Sequence, residues 1–93
     1  MNDLQQMLND PNSTILDVRS TMEFEQEHLS KAKNIPLDQI AYQLEEIKKM
    51  PKPIVLYCRS GARSGMAMQI LKEAGIHEVY NGGAISSLQF LLN

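Results

Sequence analysis

The sequence predicts an α/β fold, a mainly parallel sheet of about four strands with helices on both faces. Two observations carry that expectation. Short strand-like runs alternate with helix-like stretches along the whole chain, an order that suits parallel strands joined by crossover helices. The strongest strand, Ile54-Val55-Leu56-Tyr57, is apolar without alternation, as expected when both faces of a strand are covered.

The elements follow in order. Leu4, Met7 and Leu8 have helical spacing with Asp3 as a candidate cap, and Pro11 ends that helix because it lacks a backbone donor. Ile15-Leu16-Asp17-Val18 reads as a buried strand. Thr21 to Glu27 gives one or two helical turns with Phe24 as the apolar anchor. Asn34 to Leu37 forms a very short extended element, placed at a sheet edge by Pro36. Asp38 can cap a helix whose Ile40, Leu44 and Ile47 share a face, and Pro51 and Pro53 stop it. After Ile54–Tyr57 comes a tight loop, Arg59 to Arg63. Ser64 caps or begins a helix striped by Met66, Ala67, Ile70, Leu71 and Ala74, with Gly75 as its stop. Glu78 to Tyr80 suggests the last strand, Asn81-Gly82-Gly83 a turn, and Ile85, Leu88 and Leu91 a closing helix.

At 93 residues the chain is expected to form one domain, 1–93. Lys plus Arg is 9 against 11 for Asp plus Glu, a net charge of −2 with no basic run, so no nucleic-acid partner is expected. Apolar runs are five residues or fewer, too short to span a bilayer. Met1 to Leu4 has neither the charge nor the apolar core of a secretory signal, so a cytoplasmic location is the expectation. One cysteine excludes an internal disulfide. Cys58 with the separated His28 and His77 makes a poor metal set. A monomer is the default.

The chemistry concentrates in Cys58-Arg59-Ser60-Gly61-Ala62-Arg63-Ser64. Cys58 falls at the carboxyl end of the predicted central strand, where open α/β sheets bind ligands. A short loop entering a helix turns backbone N–H groups inward and makes an anion cradle, to which the helix dipole adds positive potential. Such a site favours the thiolate, the reactive form of cysteine. Gly61 permits a close turn. Ser60 and Ser64 can donate to a sulfur or an oxyanion. Arg59 and Arg63 can meet an anionic substrate. The competing reading is a buried, inert cysteine.

These residues resemble the active-site loop of the rhodanese family, specifically its small single-domain members. Ile15-Leu16-Asp17-Val18-Arg19 with Glu23-Phe24 is similar to the family's early signature. His28-Leu29 through Ala32, then Asn34-Ile35-Pro36-Leu37, is similar to the second, and Gly82-Gly83 to a late double glycine. The resemblance implies a rhodanese-like sulfurtransferase, with Cys58 as the nucleophile that carries sulfane sulfur as a persulfide. It implies thiosulfate or a protein persulfide as donor, cyanide or a thiol as acceptor, and no cofactor. The loop from Arg59 to Ser64, including Ser60, Gly61, Ala62 and Arg63, would hold the substrate sulfur. Asp17, Arg19 and Glu23 would support it, Asp17 orienting a loop arginine and Arg19 pairing with Glu23. His28 is expected to be structural.

Three positions depart from the family pattern. Glu27 and Lys31 replace usual glycines, and Ser87 replaces a usual aromatic. The chain also begins close to the first signature, without the initial strand of many relatives, which leaves the last strand as an edge. The alternatives to turnover are a sulfur-relay or regulatory binding module and, further off, a phosphatase or arsenate reductase of related fold. Phosphate chemistry favours five residues between cysteine and arginine, whereas Arg63 follows Cys58 after four.

Overall fold

The computed structural model describes residues 3–92; Met1 and Asn2, part of the N-terminal stretch read above, lie outside it. The elements run α1 Asp3–Asn9, β1 Thr14–Asp17, α2 Thr21–Gln26, β2 Lys33–Asn34, α3 Leu37–Ile40, α4 Leu44–Lys48, β3 Ile54–Cys58, α5 Ala62–Glu73, β4 Val79–Ala84 and α6 Ile85–Leu88. The four strands form one parallel sheet in the order β2-β1-β3-β4. This is the predicted architecture, with β4 at one edge and the Pro36 segment beside the other.

Side-chain parity divides the core into two layers. Ile54, Leu56 and Cys58 of β3 join Leu16, Val18, Ile40, Ile47, Ala67 and Leu71 on the face covered by α3, α4 and α5. Val55 and Tyr57 join Leu8, Ile15, Leu29, Ile85 and Leu88 on the face covered by α1 and α6. All five residues of β3 are buried, which explains its unbroken apolar run. Each fully buried Leu or Ile contributes about 1.5–3 kcal/mol. The consequence for function is directional, because Cys58 points to the α5 side of the sheet.

Several local expectations change. The helix expected from Asp38 onward is two short helices, α3 and α4. The amides of Tyr42 and Gln43 bond three residues back, to Gln39 and Ile40, which tightens the chain between them. Pro36, not Asp38, occupies the N-cap of α3 and offers no side-chain bond. Asp3 lies in the first turn of α1. α2 has no buried residue, and Phe24 stacks on His28 with ring centroids 3.8 Å apart instead of anchoring in the core. Asn81, Gly82 and Gly83 lie inside β4. Asn81 pairs with Leu56 and Gly83 with Tyr57, so Gly82 is an extra residue in the ladder. A Cβ at Gly82 would come within 3.0 Å of both Val55 and Leu88 side chains, so only glycine lets β3, β4 and α6 close up there.

The positions expected as glycine separate cleanly. Glu27 has φ −165°, an extended backbone that any residue adopts. Lys31 has φ 74°, in the left-handed region that disfavours a side chain. Ser87 is exposed, and α6 is buried through its neighbours Ile85 and Leu88.

Lys31→Gly should therefore stabilise the protein by about 0.5 kcal/mol, relief of left-handed strain outweighing the added freedom of the unfolded chain. The readout is the urea midpoint, which should rise; an unchanged or lower midpoint contradicts the strain assignment.

Candidate functional site

The site forms where β3 ends and α5 begins. Cys58 is the last residue of β3 and is fully buried. Gly61 has φ 98° and serves as N-cap of α5, so the helix starts at Ala62, two residues before the Ser64 expected to cap it. A Cβ on Gly61 would also lie 3.3 Å from the Gly83 Cα. Left-handed backbone and close packing thus both select glycine at this turn. The turn aims the first amides of α5 back at the strand end.

The sulfur collects those donors. The Gly61 N–H donates to Cys58 Sγ at 3.0 Å and the Ser64 N–H at 3.4 Å, while the Ser64 hydroxyl lies 3.4 Å away. Burial pushes the Cys58 thiol up. A Ser64 hydroxyl with its proton turned to the sulfur, and the amides of Ser64, Ser60 and Gly61, pull it down, and the balance falls below the ordinary thiol value. Not every loop group faces the sulfur: the Ala62 N–H donates to Ser60 Oγ at 3.4 Å.

The supporting charges pair in the opposite sense to that expected. Asp17 binds Arg19, not a loop arginine. Arg19 Nε reaches both carboxylate oxygens at 3.0 Å, Nη2 reaches Oδ2 at 2.7 Å, and the Arg19 amide donates to Oδ1 at 2.9 Å. Both side chains are almost wholly buried. The Asp17 side chain raises Arg19, against the lowering by burial. Arg19, two residues beyond the end of β1, folds back on Asp17 and so is not bonded to Glu23. The Arg19 guanidinium also lies 5.7 Å from the Tyr57 ring centroid and donates to the Glu27 carbonyl at 2.6 Å.

Glu23 binds Arg63 instead, through two parallel bonds of 2.7 and 3.0 Å. Its position comes from a capping box. The Ser20 hydroxyl accepts from the Glu23 amide, and Glu23 Oε1 accepts from the Ser20 amide at 3.0 Å. The pattern Ser20-Thr21-Met22-Glu23 carries this signal in the sequence. The Arg63 bond, ahead of the Ser20 amide, holds the Glu23 carboxyl down at about 2.

The loop arginines diverge. Arg63 borders a cavity of about 710 Å³ with Val18, Pro36 and Leu37, whereas Arg59, which is exposed, borders one of about 630 Å³ with Arg19, Glu23 and Ile85. His28 is exposed, its Nδ1 2.8 Å from the Phe24 carbonyl oxygen.

Asn81 was not among the expected site residues. Its Nδ2 donates to the Gly61 carbonyl at 3.0 Å, and its Oδ1 accepts from the Ser64 hydroxyl at 2.6 Å and the Gly83 amide at 2.9 Å. Reading Asn81-Gly82-Gly83 as a turn concealed it. Tyr57 was likewise passed over; its hydroxyl accepts the Leu29 amide at 3.1 Å. Among the described residues, no group of three or more His, Cys, Asp or Glu could hold a metal ion, and no helix is long and apolar enough to cross a membrane.

Comparison with known proteins decides the family, because residues 1–84 match the Rhodanese-like domain. The chain belongs to the rhodanese-like family. Its fold superposes on a structure described as rhodanese with anions from E. coli, with TM-score 0.72 and 32% identity, covering 80% of this chain and 88% of that one. The Uncharacterized protein YqhL of Bacillus subtilis is 45% identical over 67 residues, 72% of this chain and 52% of that protein. A tRNA uridine(34) hydroxylase of Salmonella newport is 34% identical over 90 residues, 89% of this chain and 26% of that protein. The chain thus spans about half of the first curated relative and about a quarter of the second. This chain has a rhodanese fold and carries a single buried cysteine.

The Glu23–Arg63 pair sets a pH dependence. Glu23 is depressed from 4.5 to about 2 on folding, so its contribution is fully present above the unfolded value and fades as the pH falls between the two. Glu23→Gln should cost about 1 kcal/mol at pH 6 and markedly less at pH 3. Urea unfolding at the two pH values reads the difference directly; a gap that stays constant would assign the loss to packing.

Proposed function

We propose that the protein is a sulfurtransferase that moves sulfane sulfur from thiosulfate or a persulfide donor to a thiol or cyanide acceptor through a Cys58 persulfide. The observation that carries this reading is the Cys58 sulfur itself, buried at a strand end yet met by the Gly61 and Ser64 amides at the start of α5. An inert core cysteine needs no such donors. The E. coli rhodanese relative, whose structure is described with anions, supports an anion-accepting site of this kind.

The chemistry is covalent catalysis. The Cys58 thiolate attacks the outer sulfur of the donor. The donor's S–S bond breaks, and its electron pair leaves with sulfite or with a donor thiolate. Cys58 then carries the transferred sulfur, and the amides that point at Sγ stabilise the developing negative charge. An acceptor thiolate or cyanide attacks that sulfur, the persulfide bond breaks, and the Cys58 thiolate is restored. No metal or cofactor enters the balance.

Arg59 is the loop cation open to an incoming anion, since Arg63 already holds Glu23. Burial of Cys58 favours a small donor over a bulky one.

Intact mass after brief thiosulfate exposure and desalting tests the reading. An addition of about 32 daltons, one sulfur, should map to Cys58, vanish on treatment with a thiol acceptor, and be absent from Cys58→Ser. Sulfane sulfur retained on Cys58→Ser, or an unchanged mass with both thiosulfate and a low-molecular-weight persulfide, would reject the proposal.

A further inference from the structure

The orientation of the Asn81 amide is determined by two partners of opposite kind. Its Nδ2 meets a carbonyl oxygen, that of Gly61, and its Oδ1 meets an N–H, that of Gly83. The atom 2.6 Å from Ser64 Oγ is therefore a carbonyl oxygen with no proton to give. The Ser64 hydroxyl has one proton, and that short bond uses it. Toward Cys58, at 3.4 Å, Ser64 can then only accept, and what it accepts is the thiol proton.

We propose that Asn81 is a positioning residue that holds the Ser64 hydroxyl proton away from Cys58, so that Ser64 supports the thiol until its hydroxyl turns. The inference deepens the sulfurtransferase reading, on which its role in the reaction rests. When Cys58 loses its proton to solvent, Ser64 becomes an acceptor facing an anion. Its hydroxyl favours the thiolate only by rotating its proton to sulfur and releasing Asn81 Oδ1. That oxygen keeps the Gly83 N–H, so it is not left without a donor. Hydroxyl rotation thus couples the charge on Cys58 to a bond between α5 and the edge strand β4. The same rotation would accompany each return of the thiolate during turnover.

None of the charged groups around the loop bonds Asn81 or the Ser64 hydroxyl, although Arg63 acts on the Cys58 charge through space. Arg63 of α5 is tied to Glu23 of α2, Asp17 and Arg19 at the end of β1 are tied to each other, and Arg59 is exposed. The Tyr57 hydroxyl of β3 accepts the Leu29 amide, and β4 contributes no charged side chain. Substitution of Asn81 leaves all of them in place.

The test is the pH profile of Cys58 alkylation by iodoacetamide, which follows the thiolate fraction and does not require sulfur transfer. Asn81→Ala frees the Ser64 hydroxyl, so alkylation below the thiol's midpoint should be about 3- to 10-fold faster, the net worth of one ordinary hydrogen bond. In a Ser64→Ala background the same substitution should have no accelerating effect. Asn81→Asp keeps an oxygen for the Ser64 proton but loses the donor to Gly61, and it should not accelerate the reaction. Thermal unfolding confirms that each variant is folded before it is compared. Equal effects of Asn81→Ala in both backgrounds, slower alkylation in Asn81→Ala alone, or acceleration in Asn81→Asp would each overturn the proposal and assign Asn81 to loop support. Failure to form a persulfide with an intact alkylation cycle would instead reject the sulfurtransferase reading alone.

Discussion

A buried sulfur at the end of a strand is tolerable as an anion only if donors replace the water it has lost. That requirement organises this molecule. Strand parity sends Cys58 to the α5 face, where it shares a layer with Leu56 and Ala67. An α-helix starting directly beyond the strand supplies unpaired N–H groups. Only a turn as tight as the one at Gly61 brings them within reach, and its φ of 98° together with the nearby Gly83 backbone makes glycine necessary. Position in the sheet, helix start and glycine turn are three aspects of one arrangement.

The charges around this arrangement divide into two kinds. Asp17 and Arg19 form a buried, multiply bonded pair at the end of β1, and Asn34 Nδ2 bonds the carbonyls of both residues at 2.9 and 3.0 Å. A buried pair of this kind contributes little net stability while intact, but losing one partner strands the other and costs about 3–5 kcal/mol. Its effect is to hold the end of β1 and the edge strand β2 in one geometry beside the loop. Glu23 and Arg63 join elements distant in sequence, α2 and α5, at a partly exposed position. The capping box holds Glu23 in place independently of Arg63, which lowers the entropy lost in forming the bidentate contact. A guanidinium so engaged is a clamp on the loop before it is a ligand for anything else.

The parts of this fold legible in the sequence were those written in short-range patterns. The apolar run of β3, the Ala67, Ile70 and Leu71 of the stripe ending at Gly75 and the glycine of the loop each describe their own local geometry, whereas Met66, read into that stripe, is exposed because the helix turns Met68 to the core instead. The family resemblance, carried by spaced motifs, added the site's chemistry. What the residues did not disclose were choices among equally plausible partners. Asp17, Arg19, Glu23 and Arg63 permit two sets of pairs, and sequence distance does not say which reach is shorter. Ile40, Leu44 and Ile47 fit one continuous helix, yet Ile40 and Ile47 are equally buried when the chain tightens between them. Lys31 carries no mark of its left-handed backbone except that the resemblance leads one to expect a glycine there.

Asn81 shows why a single extra residue matters. Without an irregularity, a strand pairing Asn81 with Leu56 would place Gly82 opposite Tyr57 and Gly83 opposite Cys58. Instead Gly83 pairs with Tyr57 and Ala84 with Cys58. The ladder accommodates Gly82 as an insertion, and the crowding at that position explains why it has no side chain. Asn81 thereby keeps the parity of Leu56 and, although exposed, turns its side chain to the start of α5. An apolar side chain there would leave the Gly61 carbonyl and the Ser64 hydroxyl without these partners. The start of α5, which surrounds the sulfur, lies directly against this side chain. The edge strand is therefore not just the outer wall of the sheet; through Asn81 it shares in setting the state of Cys58.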